Sequence, residues 1–152
     1  MKKAFLLIAL LLGLVAGAEA QNTLNNNADA IVGTYSGKQG SDNFRAKITR
    51  LKNGTYQAQI TWVEHDRDSK GNKLLDSKNP DKKLRSTPCD RIVLFSGLRY
   101  NAKKHRWDDT KIYDPQRGIR ANLTVEFVAD GRLKLKGSLM GISESVYWTK
   151  VK

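Results

Sequence analysis

The sequence predicts an all-β domain of about eight short antiparallel strands, on three observations. From Ile31 onward the apolar residues recur with period two rather than 3.6. Turn formers separate the apolar runs at Asn53-Gly54-Thr55, Asp114-Pro115 and Asp130-Gly131. No segment carries the pattern of a three-turn helix.

The elements follow in order. Lys2 and Lys3 precede an uncharged apolar run, Ala4 to Val15, and Ala18-Glu19-Ala20 then puts small residues where a signal peptidase reads. Residues 1–20 are therefore expected to be a cleavable signal peptide, with the mature chain starting at Gln21 and exported to the periplasm or beyond the cell. The apolar run falls short of the roughly 20 residues that a spanning helix needs, so no transmembrane segment is expected after cleavage. Gln21 to Ala30 is polar and Asn-rich and reads as a flexible lead-in; residues 31–152 form one domain. "IVGTYSG" opens it. In "NFRAKITRL" Phe44, Ala46 and Ile48 alternate with Arg45, Lys47 and Thr49, and Gly54 supplies a hairpin turn by accepting positive φ. The return strand puts Tyr56, Ala58, Ile60 and Trp62 on one face. "RIVLFSGLRY", "KHRWDDTKIY", "IRANLTVEFV", "RLKLKGSL" and "SESVYWTKV" complete the set. Such strands pack as a sandwich or close into an up-and-down barrel, and an eight-stranded barrel has room for one small ligand.

Composition narrows the chemistry. Taking 20 residues from 152 leaves 132, enough for one cored domain. Without Lys2, Lys3 and Glu19, the 27 basic residues become 25 and the 15 acidic ones 14, a net charge of +11 that favours anionic polymers, partners or membrane surfaces. Specific nucleic-acid recognition is not expected. Cys89 is the sole cysteine, so no internal disulfide forms, and the adjacent Asp90 argues against a reactive thiol. Asp66 to Asn72 imitates a calcium loop but puts Lys70 at the fifth position and Ser77 at the twelfth. His65 and His105 lack partners at metal-ligand spacing, and Asp108, Asp109 and Asp114 read as turn chemistry. No catalytic constellation emerges, and neither a metal nor a cofactor is expected.

Two features could bind something. Lys82, Lys83 and Arg85, with Lys103, Lys104 and Arg106, form two basic clusters on loops that would attract phosphate or sulfate groups. The apolar face is also aromatic, which suits a cavity lining and a filled core equally; spacing alone favours the filled core.

"DSKNPDKKLR", "WDDTKIYDPQRG" and the terminal "YWTKV" together resemble the bacterial family of exported proteins called domain of unknown function 2147. The resemblance runs from Ile31 to Val151 and implies a lipocalin-like barrel. It maps onto Asp76, Asn79, Pro80, Asp81 and Arg85, then Trp107, Ile112, Tyr113, Asp114, Pro115 and Gly118, then Trp148, Thr149 and Lys150. Thr110 and Lys111 stand where the family has a Gly, and Glu144 stands near where it has an Arg. Gly33-Thr34-Tyr35 occupies the place of the lipocalin Gly-x-Trp, which implies that Tyr35 floors the closed end beside Lys150.

Residues 64–90 are far longer than a hairpin connection needs, and loops of that length are usually functional. Pro80 holds Asn79 extended, and Arg85 is expected to bond Asp76 or Asp81, pinning the loop near the cavity mouth. The expected function is non-catalytic binding of a small hydrophobic or amphipathic ligand. Tyr35, Phe44, Tyr56, Ile60, Trp62, Trp107, Tyr113 and Trp148 are expected to line or floor the cavity. The alternative is recognition of an anionic polymer or protein partner through the basic loops.

Overall fold

The computed structural model describes residues 22–152, so the expected signal peptide lies outside the described residues. Eight antiparallel strands close into a meander barrel in sequence order: β1 (Gly33–Gln39), β2 (Asp42–Arg50), β3 (Tyr56–Val63), β4 (Val93–Asn101), β5 (Arg106–Asp114), β6 (Ile119–Phe127), β7 (Leu133–Leu139) and β8 (Ile142–Lys150). The period-two pattern sets the inward face. Phe44, Ala46 and Ile48 of β2, Tyr56, Ala58 and Ile60 of β3, and Leu123, Val125 and Phe127 of β6 are all buried. Gly54 turns the β2–β3 hairpin at φ 81°, where any side chain would be strained.

Irregularities break the alternation in β3, β4 and β5, and those in β3 and β5 decide where two aromatic residues point. Ala46 pairs with Ile60 but Arg45 pairs with Trp62, so Thr61 is an extra residue and the strand beyond it changes face. Trp107 pairs with Val125 and Thr110 with Leu123, leaving two residues opposite Thr124; Asp109 takes φ 69° to absorb the bulge.

One end of the barrel is plugged. Residues 22–31, polar enough to suggest a loose lead-in, instead form two 3-10 turns, Thr23–Asn26 and Ala28–Ile31. Their polarity serves the barrel rather than solvent. Buried Asn25 donates to the carbonyl of Phe127 (2.9 Å) and accepts from its amide (2.7 Å), standing in for a missing strand neighbour. Tyr100, Trp107 and Tyr35 donate to the carbonyls of Asn25, Ala28 and Ile31 at 2.8, 3.0 and 2.8 Å.

The long connection between β3 and β4 is a strap with its own polar core. Asp76 and Asn79 are buried within it. Tyr113 donates its hydroxyl to Asp76 (2.6 Å), Asn79 donates its amide to the same carboxylate (2.8 Å), and the Asp76 amide donates to the Thr87 carbonyl (2.9 Å). Asn79 accepts from the Asp81 amide, as the Asn-Pro-Asp turn predicts, and Asp81 caps the short turn Lys82–Leu84. Arg85 differs from expectation: its Nε donates to the Asn79 carbonyl (2.8 Å) rather than to Asp76 or Asp81. Lys78 ties the strap to the carbonyl of Gln116, in the β5–β6 turn at the open end (2.7 Å). Gly118 permits the close approach, since a Cβ there would sit 2.3 Å from the Lys78 carbonyl oxygen.

Candidate ligand-binding site

The open half of the barrel holds a cavity of about 550 Å³, within the ordinary range for small-molecule sites. Phe44, Ile60, Leu94, Ile112, Ala121, Leu135 and Trp148 form its apolar wall, and Phe44 meets Trp148 edge to face at 5.7 Å near its base. Gly37 leaves room for that aromatic pair, because a Cβ there would lie 2.7 Å from Phe44 and 2.8 Å from Trp148. The rim is polar: Lys38, Gln39, Asp114, Gln116, Arg117 and Glu144.

The eight residues expected to form the cavity separate into three groups. Phe44, Ile60 and Trp148 line it. Tyr35, Tyr56 and Trp107 are buried deeper, where they meet the plug and form the floor. Lys150 lies over the Tyr35 ring at 6.0 Å, and the two residues pair across the β1–β8 ladder. Burial and a hydrogen bond to Asp29 push the Tyr56 hydroxyl up to about 12, so it stays a donor at physiological pH.

Of the remaining two, Tyr113 also lines the cavity, at its rim, and Trp62 is corrected. Trp62 is 45% exposed and faces outward beneath the Arg45 guanidinium, because the extra Thr61 turns the strand over. Tyr113 borders the cavity only at the rim. The β5 bulge puts it in register with Arg120, on the face opposite Ile112 and Ala121, where its hydroxyl holds the strap. Burial and the Asp76 bond both raise the Tyr113 pKa. Leu94, Ile112, Ala121, Leu135, Ile142 and Val146 also line the cavity, and the alternation of "IRANLTVEFV" and "RLKLKGSL" puts Ala121 and Leu135 on the inward face.

Asp114 accepts from the amides of Gln116 and Arg117, and its carboxylate pairs with the Arg117 side chain at 2.6 Å. Arg117 reaches on to Glu144 of β8 at 2.8 Å, so the acid near the family's arginine position meets a compensating cation from the β5–β6 turn. Lys82, Lys83 and Arg85 lie on the strap, whereas Lys103, Lys104 and Arg106 lie at the β4–β5 turn of the plugged end. The two basic clusters therefore form no common patch. The open-end segments 38–42, 64–92, 114–120 and 139–144 hold eleven of the 25 basic and nine of the 14 acidic residues beyond position 20, leaving most of the positive charge elsewhere.

Smaller clusters resolve locally. Lys73 bridges Asp66 and Asp90 within the strap, and Asp68 caps the turn around Gly71, accounting for the acids of the calcium-like stretch. The Cys89 thiol is pushed up, by burial first and by Asp90 second. Asp42, Glu64 and His65 converge at the ends of β2 and β3, a grouping that linear spacing hides. His65 Nδ1 lies 2.8 Å from Asp42, which raises the imidazole pKa. The charged form gains its partner on folding, so this contact contributes fully below the unfolded pKa and is lost as pH rises through the raised folded value. The proton NMR titration of His65 is expected to have its midpoint above the ordinary ~6.5, and Asp42→Asn to lower it. An unchanged midpoint in that variant would show that the contact is absent in solution.

A meander barrel with one end plugged and an apolar cavity at the other defines the class: a lipocalin-like β-barrel. The chain belongs to the family described as "Uncharacterized protein conserved in bacteria (DUF2147)", whose model matches residues 33–150. Among solved structures it is similar to a protein of Helicobacter pylori, HP1028, described as belonging to the lipocalin family, at 22% identity and a TM-score of 0.63, over 80% of this chain and 83% of that one. No curated protein matches. Among the described residues no helix is long and apolar enough to cross a membrane.

Proposed function

We propose that the protein is an exported, non-catalytic binding protein for a small, partly apolar ligand held in the open half of the barrel. The cavity carries this reading. About 550 Å³ of space lies between apolar walls over a sealed aromatic floor, with charged groups confined to the rim. Burying an apolar ligand there is favourable by about 25 cal/mol per Å² of apolar surface removed from water. The lipocalin-like fold supports the same reading, as does the separation of the two basic clusters, which removes the support for a single polyanion surface.

Native mass spectrometry of mature protein purified from its own exported compartment tests it. The expected result is an added mass that is lost in Ala121→Trp, a substitution that fills the cavity from a partly exposed wall position. An added mass that survives Ala121→Trp would place the ligand elsewhere. Protein that arrives bare and takes up no apolar probe would overturn the cavity reading.

A further inference from the structure

The barrel is closed unevenly. Six of its seams pair for three to seven residues, and β2–β3 for seven. β1 and β8 are joined by just two pairs, Tyr35–Lys150 and Ser36–Thr149, at the end nearest the floor. No ladder pair joins them above that point. Gly37 to Gln39 on one side and Ile142 to Tyr147 on the other therefore present unpaired strand edges. Val146 pairs with buried Leu135 and so faces inward, yet it is 46% exposed; Ile142 is 60% exposed. Both line the cavity, as do Lys38 and Gln39 across the gap. Inward-facing apolar side chains this accessible, beside a seam without ladder pairs, point to a cavity that opens sideways as well as at the barrel end.

The charges at this opening cancel. Arg117 is held between Asp114 and Glu144, and Lys38 adds one positive charge, so two cations face two anions. An anionic head would have to displace a carboxylate from Arg117, and a cationic head would have to compete with that guanidinium. An uncharged hydroxyl, ester or amide meets no such cost, and the free N–H and C=O groups of the two edges can hydrogen-bond it.

We propose that the β1–β8 seam is the entry portal, and that the ligand is a single-chain amphiphile with an uncharged polar head. The chain lies against Phe44, Ile60, Leu94 and Trp148, and the head stays between the strand edges. This rests on the cavity-binding reading and specifies the ligand class and its route.

The test is stopped-flow binding to the full mature protein, followed by intrinsic tryptophan fluorescence, Trp148 being the indole that lines the cavity, with a monoacylglycerol, a fatty acid and an alkylamine of equal chain length. The monoacylglycerol is expected to bind at least about tenfold more tightly than either charged probe, a difference of ~1.4 kcal/mol. Val146→Arg, at a position exposed enough to accept the side chain, is expected to slow association about tenfold by putting a charge in the portal. Ile142→Arg serves as the second portal variant should the first be unstable. Ser41→Arg, on the exposed β1–β2 turn at the open end, is expected to leave the rate within about twofold. Tightest binding of the acid or the amine overturns the uncharged head. Unslowed association in the portal variants, or equal slowing in Ser41→Arg, overturns the lateral route. Failure of all three probes to bind overturns the cavity reading itself.

Discussion

Replacing Asp76 with Ala is expected to cost the fold about 2–4 kcal/mol and to expose the strap to proteases. Asp76 is only 3% exposed and accepts from the Tyr113 hydroxyl and the Asn79 amide. Its removal strands both donors where water reaches them poorly, and an unsatisfied buried polar group costs about 1–3 kcal/mol. The same carboxylate joins the strap to β5, so its loss loosens the middle of the strap, leaving Lys78 on the Gln116 carbonyl as its tie to the barrel there. Tyr113→Phe removes one of the two bonds and leaves no orphaned donor, so it is expected to cost about 1 kcal/mol. Equilibrium denaturation with both variants, and limited proteolysis of Asp76→Ala, provide the measurement. A loss below about 0.5 kcal/mol, with cleavage unchanged between residues 64 and 92, would show that the strap is held by something else.

Asn25→Leu is expected to destabilise the barrel by a comparable amount, about 2–4 kcal/mol, because Leu fills the space and offers no hydrogen bonds. The Asn25 side chain satisfies both the amide and the carbonyl of Phe127 at the end of β6, beyond the last β5 pair at Val125. Losing it leaves two backbone groups unpaired and loosens a plug that also receives Tyr100, Trp107 and Tyr35. Because the plug seals the floor, a rise in Trp107 quenching by acrylamide, read in a Trp62→Phe background that removes the exposed indole, should accompany the lost stability. Stability within about 0.5 kcal/mol of the parent, with quenching unchanged, would mean that the plug is dispensable.

Much of the barrel was legible before the fold was known. Alternation in β2, β3, β6 and β7 determined which side chains are buried, because one face of each strand must leave water and the period of a strand is two. The glycine turns at Gly54 and Gly131 determined where the chain reverses, since both take positive φ. The Asn-Pro-Asp turn in the strap was also local chemistry, settled by side chains hydrogen-bonding their own backbone.

The tertiary structure decided what no periodicity encodes. One extra residue, Thr61, turned Trp62 from the expected cavity to the surface, and the bulge at Asp109 turned the Tyr113 side chain toward the strap, where it stays buried. A bulge depends on the partner strand's register, so a single strand's sequence does not display it. The Asn-rich lead-in became a plug because its amides match unpaired backbone groups more than a hundred residues away, at Phe127 and Val128. The Arg117–Glu144 pair exists only once the β5–β6 turn meets β8, and the two-pair seam only once the first and last strands meet. Burial pattern and turns are short-range constraints that each segment carries alone. Which strand edge stays open, and which charge finds a partner, depends on closing the barrel.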